Sequence, residues 1–228
     1  MSNYRNKQNS LIKQALPLQL TKQADRKSIY PCYLGILFIG NISPTILKKI
    51  KFYLVQVFDS FFFDIVFMGE KKLDPSLIDL NIKEEFNLLD DTSKRVFLQP
   101  TNKFYSIIKN QIKEKNLALG IGLTNLPIYS SSDENIVFLF GEAHIKHRCA
   151  IVSVYNLSDF LKKEKFNSRI IKETIHELGH LILGLEHCLG DYCVMRFSAN
   201  IKEIDRKSFH LCEKCKLKLE EIRVLNNF

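Results

Sequence analysis

The chain has 228 residues, 46% of them hydrophobic, and a formal net charge of +8. That length and apolar content suffice for a substantial buried core, so one folded domain is expected, not a disordered or fibrous chain. Residues 1–28 carry six Lys/Arg against Asp25 alone, a net +5, which leaves the other 200 residues at +3 and gives the folded body no charge-based case for a nucleic-acid partner.

The opening segment, 1–28, has no apolar stretch long enough for a signal-peptide core and is too polar to pack alone. It is expected to be a flexible basic tail ahead of a single domain at 29–228, in a cytoplasmic protein. "YLGILFIG" (33–40) reads as a buried strand. In "ISPTILKKIKFYLVQVF", Ser43 is placed to cap a helix and Pro44 to open it. "FFFDIVFMG" (61–69) reads as a second strand; Gln56, Asp59 and Asp64 interrupt this most apolar region and argue against a membrane span. A loop or short hairpin is expected within 70–100. Thr101 then opens a helix to about Lys115, with Phe104, Ile107, Ile108, Gln111 and Ile112 on one face. Three strand-like runs follow at 117–124, 136–143 and 150–157, then a helix after Ser168, a cysteine-rich segment at 188–215, and a final helix at about 213–225. This order predicts an α/β (α+β) fold with a mixed twisted sheet.

The helix after Ser168 contains "HELGH" (176–180). Residues four apart on a helix lie about 40° apart around its axis and about 6 Å along it, so His176 and His180 can direct their rings at one point. Glu177, one position on, is placed to take a proton from a water at a metal held there. Two surface histidines on a helix are the alternative, and it leaves unexplained the apolar face beside them and the histidine and cysteines that follow. A third ligand from a continued helix fails, because His187 would sit roughly 10 Å further along the axis. The chain must turn back, and Gly184 is where it can, glycine accepting the left-handed conformation that ends helices.

Four residues lie between Cys188 and Cys193 and two between Cys212 and Cys215, with a longer stretch between the pairs. This is the spacing of a four-thiolate structural zinc site; two disulfides are the alternative, disfavoured without an export signal. Cys32 and Cys149, in or beside apolar runs, are expected to be core residues. His144 and His147 in polar "HIKHR" are expected to be surface histidines, outside any site.

"HELGH", "GLEHC", "CVMRFS", "DRK" (205–207) and "CEKC" together resemble the archaemetzincins, in which a metzincin-type zinc motif runs into a four-cysteine zinc site. The resemblance covers residues 176–215. It implies a compact zincin-like domain whose C-terminal part, 188–228, is built on a four-cysteine zinc site. It also implies that His176, His180 and His187 bind a catalytic zinc with Glu177 as general base, that Cys188, Cys193, Cys212 and Cys215 bind a structural zinc, and that Met195 lies beneath the catalytic site. One departure stands out: the family has glycine three residues after the second histidine and its third ligand at six, whereas here Gly184 is at four and His187 at seven. A π-bulge or a looser final turn would absorb the added residue. Glu186, now at the third ligand's numerical position, is a rival to His187, which keeps the family's spacing to Gly184 and Cys188.

The expected function is thus a zinc-dependent peptidase with two zinc ions per chain, acting as a monomer on peptides or small polypeptides laid along a sheet edge, with neither nucleic acid nor membrane as partner. In "VFLFGEA", Gly141 and Glu142 are candidates to face the cleft. A zinc-stabilised binding protein without hydrolysis is the competing expectation, and the presence of Glu177 argues against it.

Overall fold

The computed structural model describes residues 29–72, 98–133, 138–158, 163–184 and 187–228, and the backbone of 84–86 and 95–97. The expected tail at 1–28 and the rival ligand Glu186 lie outside these described residues. The strands are β1 (Cys32–Ile39), β2 (Phe62–Lys71), β3 (Glu84–Phe86), β4 (Arg95–Phe97), β5 (Gln99–Pro100), β6 (Leu119–Thr124), β7 (Ile128–Tyr129), β8 (Gly141–His144) and β9 (Cys149–Ser153). The helices are α1 (Thr45–Val57), α2 (Thr101–Glu114), α3 (Lys163–Leu183), α4 (Ile201–Arg206) and α5 (Glu213–Leu225).

The main sheet runs β2-β1-β6-β9-β8. Its first four strands are parallel, and β8 pairs antiparallel with β9, Ala143 opposite Ala150. β6 and β9 are buried at every residue, as is nearly all of β1, which is why they read in sequence as unbroken apolar runs and not as alternation. One face of the sheet, through Leu34, Ile36, Phe38, Ile121, Leu123 and Val152, shares a core with α1, α3 and α5. The other face packs Leu37, Ile39 and Ile151 against Phe104 and Ile108 of α2.

Several boundaries differ from the sequence reading. The strand expected at 136–143 lies later, at Gly141–His144; among the described residues just upstream of it, Leu139 bridges to Ile128. The strand expected to reach 157 stops at Ser153 and gives way to a short 3-10 turn at Tyr155–Leu157. Helix α1 starts one residue later than expected: Pro44 is its N-cap, and the Ser43 hydroxyl bonds Thr45 Oγ1 in place of a backbone N–H. Thr101 is the first residue of α2, behind an N-cap proline, Pro100. Helix α3 starts at Lys163, ahead of Ser168. The region 70–100 does hold a short antiparallel pair, β3 with β4.

Helix α3 is buried on nearly every side from Arg169 to Leu183. Its apolar residues Ile170, Ile171, Ile175, Leu178 and Ile182 enter the core. Three of its charged residues, Arg169, Lys172 and Glu173, are buried too, and each is matched. Arg169 donates from Nε and Nη2 to the two carboxylate oxygens of Asp205, both at 2.8 Å, and from Nη1 to the Leu157 carbonyl at 3.0 Å. Lys172 Nζ donates to the carbonyls of Ile204 and Asp205, each at 3.1 Å. Lys207 Nζ pairs with Glu173 Oε1 at 3.1 Å. Buried ions carry a desolvation cost that only such matching offsets. The "DRK" segment thereby locks α4 and the chain after it onto the long helix.

Candidate metal centre

Near its C-terminal end α3 carries His176, Glu177 and His180. The Nε2 atoms of His176 and His180 lie 3.2 Å apart, facing one point. Helix α3 stays α-helical through Leu183, and Gly184, at φ 59°, closes it with its N–H on the His180 carbonyl at 3.0 Å. Among the described residues the helix contains no π-turn, so the bulge that the spacing suggested is absent from Lys163–Leu183. The chain then returns His187 to the other two rings: centroid distances are 4.7 Å for His176–His180, 5.3 Å for His176–His187 and 5.0 Å for His180–His187. One ligand atom from each of the three histidines falls within 4.8 Å of the others. Three imidazoles this close suit a divalent cation: zinc–nitrogen bonds of about 2.0–2.1 Å in a tetrahedron separate nitrogens by about 3.3 Å.

The rings are also prepared for that role. His176 Nδ1–H donates to the Val194 carbonyl at 2.8 Å, which fixes the tautomer with the Nε2 lone pair free for a metal. Burial, then the nearby Lys207, His180 and His187, holds His176 well below the ordinary imidazole range, so it is neutral. His187 is exposed as a residue, yet its ring is flanked by the other two histidines and, edge-on at 5.0 Å, by Phe197; desolvation, then His180 and Lys207, lowers its basicity as well.

Glu177 is buried beside this cluster, against the edge strand. A Cβ on Gly141 of β8 would lie 2.6 Å from Glu177 Cγ, so only glycine lets the strand pass this close. Burial pushes the Glu177 carboxyl well above its ordinary value, Glu173 and Glu142 push the same way, and Lys207 opposes them. Of the two residues expected to face the cleft, Gly141 meets helix α3 at Glu177. Glu142 is engaged by hydroxyls: it accepts from Tyr105 at 2.5 Å, from Ser132 at 3.2 Å and from Ser130. His144 and His147 stack on each other at 4.0 Å, and neither belongs to the metal-capable groups among the described residues.

The four cysteines converge separately. Cys188 and Cys212 sulfurs are 3.6 Å apart and those of Cys193 and Cys215 3.8 Å. A disulfide needs about 2.05 Å, and all six cysteines are free. Tetrahedral zinc–sulfur bonds of about 2.3 Å separate sulfurs by about 3.8 Å, so these spacings fit a metal. Burial alone would raise Cys212, but the Cys215 N–H and the neighbouring thiols bring it down to about 7, towards the thiolate a metal requires. Cys32 and Cys149 are buried elsewhere, and burial raises both thiols to about 12, so they are inert core residues.

Met195 is fully buried, its sulfur seated in the hollow at Gly179; a Cβ there would be 2.2 Å from Sδ. Val194, Gly179, Tyr105 and the Glu173–Lys207 pair support the centre without having been singled out in the sequence. Gly179 lies within "HELGH", Val194 within "CVMRFS" and Lys207 within "DRK", but the motifs gave these residues no roles.

Fold and centre together are those of a zinc metallopeptidase. The sequence profile of peptidase family M54 matches residues 32–221, and the chain belongs to that family. It is 38% identical over 136 residues to the archaemetzincin of Pyrococcus abyssi, covering 58% of this chain and 69% of that one. Over 99 residues it is 38% identical to the archaemetzincin of Archaeoglobus fulgidus, covering 43% of this chain and 58% of the relative. The crystal structure of the Methanopyrus kandleri archaemetzincin shares the fold, with a TM-score of 0.61 at 24% identity over 87% of this chain and 98% of that one. Among the described residues, no helix is long and apolar enough to cross a membrane.

Proposed function

We propose that the chain hydrolyses peptide bonds at the three-histidine centre and holds two zinc ions, one there and one in the four-thiolate group. His176, His180 and His187 hold the catalytic ion; Cys188, Cys193, Cys212 and Cys215 hold the structural one. A zinc ion in the histidine site supplies the Lewis acid that polarises the scissile carbonyl and acidifies water. Glu177 takes a proton from the attacking water on a carboxylate oxygen and passes it to the departing amine nitrogen. Its close contact with Gly141 holds the carboxylate in place beside the three rings, where the proton acceptor is needed. His176 is held in register by Val194, and Met195 gives the centre an apolar floor.

β8 ends the main sheet, so its outer edge can align an extended peptide by main-chain hydrogen bonds. The closeness of Gly141 to Glu177 puts a peptide laid there beside the base. Small or unstructured polypeptides are the substrates that such an edge admits, one chain of the protein sufficing. The observation that carries this reading is the convergence of three imidazoles with Glu177 against the sheet's edge strand. A quenched-fluorescent peptide library, incubated with the wild type and Glu177→Gln, tests it. The expected result is hydrolysis by the wild type and a loss of about 10²–10⁴-fold in the variant with its metal retained. Equal turnover by both would overturn the assignment of the base.

A further inference from the structure

The two metal groups share one short stretch of chain. Cys188 follows His187 directly, and Cys193 immediately precedes Val194 and Met195. Between them the backbone closes on itself: the Cys188 N–H donates to the Met195 carbonyl at 2.8 Å and the Cys193 N–H to the Gly190 carbonyl at 3.2 Å. Val194 N–H is tied at 3.1 Å to the carbonyl of His210, two residues before Cys212. The loop so held presents two things to the histidine centre. Its Val194 carbonyl accepts the His176 Nδ1–H, and its Met195 sulfur fills the hollow at Gly179. That carbonyl is carried by the thiolate loop, and His176 is the side chain of the long helix that meets it.

We infer that the thiolate group is the positioning device of the catalytic centre, so that metal binding at the two sites is cooperative, with Val194 as the coupling residue. This rests on the reading of both groups as metal sites. The physical argument is that a ligating histidine depends on the partner of its other nitrogen, whose loss typically costs 10–100-fold in metal affinity. Metal among the four sulfurs joins Cys188 and Cys193 to Cys212 and Cys215 and so fixes the loop that carries Val194. Linkage makes the effect reciprocal: an occupied histidine centre strengthens the thiolate site by the same factor.

Cobalt(II) distinguishes the sites, because thiolate coordination gives sulfur-to-metal charge-transfer bands in the near ultraviolet, whereas an imidazole site gives only weak visible bands. Cobalt alone, titrated against a competing chelator, is followed at both signatures in the wild type, Cys215→Ser and His180→Ala. Cooperative sites predict that Cys215→Ser weakens cobalt at the imidazole signature by about tenfold or more, and that His180→Ala weakens the thiolate signature by a similar factor. An imidazole-site affinity unchanged in a folded Cys215→Ser protein overturns the inference. If circular dichroism shows that variant unfolded, the His180→Ala arm decides, and an unchanged thiolate affinity there overturns it. A wild type with thiolate bands but no imidazole bands at saturation sinks the reading of the histidine centre itself, a distinct outcome.

Discussion

An alanine in place of a mid-helix glycine ordinarily stabilises, by about 1 kcal/mol of helix propensity. At Gly179 the sign should reverse, because the new Cβ would stand 2.2 Å from the sulfur of a fully buried Met195. Overpacking of this kind costs about 1–3 kcal/mol, so Gly179→Ala is expected to lower the thermal midpoint; a higher midpoint would show that Met195 yields freely. The residues of the centre differ in how far sequence disclosed them. His176, Glu177 and His180 were legible because a fixed helical spacing turns sequence into geometry. Val194 was not, since it acts through a backbone carbonyl that any residue type carries. His187 was readable only as one of two candidates, and its rings-together geometry depended on where the helix stopped.

At the scale of elements, α3 is held by charge as well as by apolar packing. Asp205 receives both Arg169 nitrogens, and this hydrogen bonding, against opposing burial, lowers its carboxyl below the ordinary 3.8. A carboxyl depressed in the folded state stabilises it fully above the unfolded value and loses that contribution as pH falls through the folded value. Asp205→Asn should therefore cost about 2 kcal/mol at neutral pH, discounted for the partial exposure of Asp205. In denaturant melts the gap to the wild type should close below about pH 3.8; a gap independent of pH would rule out the ion pair as its cause. Sequence showed α3 through its apolar period but not its pairing with 205–207, since contacts 34 and 36 residues away leave no local pattern. β8 was misplaced for a related reason. Its residues, "GEAH", are neither strongly apolar nor alternating, so the more apolar run of the preceding "IVFLF" drew the strand upstream.

Across the whole molecule, Cys193, Val194, Met195, Ile204, Leu211, Cys215 and Leu219 belong to the same core as Leu34, Ile36 and Phe38 of the sheet. The C-terminal segment is thus part of the main body and should unfold with it. Calorimetry is expected to show one transition, moved to lower temperature by metal chelation; two separable transitions would make 188–228 an independent unit. The mixed sheet was foreseeable from the alternation of apolar runs and helices, whereas its strand order was not, because nothing local tells β1 to lie between β2 and β6. The central claim is that His187, and not Glu186, completes a catalytic centre distinct from the thiolate one. Zinc content per chain, measured on protein purified without chelator, tests it most directly. The account predicts about two zinc ions in the wild type, one in His187→Ala and two in Glu177→Gln. Two ions retained in His187→Ala with one lost in Glu186→Ala, or a wild type that binds zinc through its cysteines alone, would contradict it.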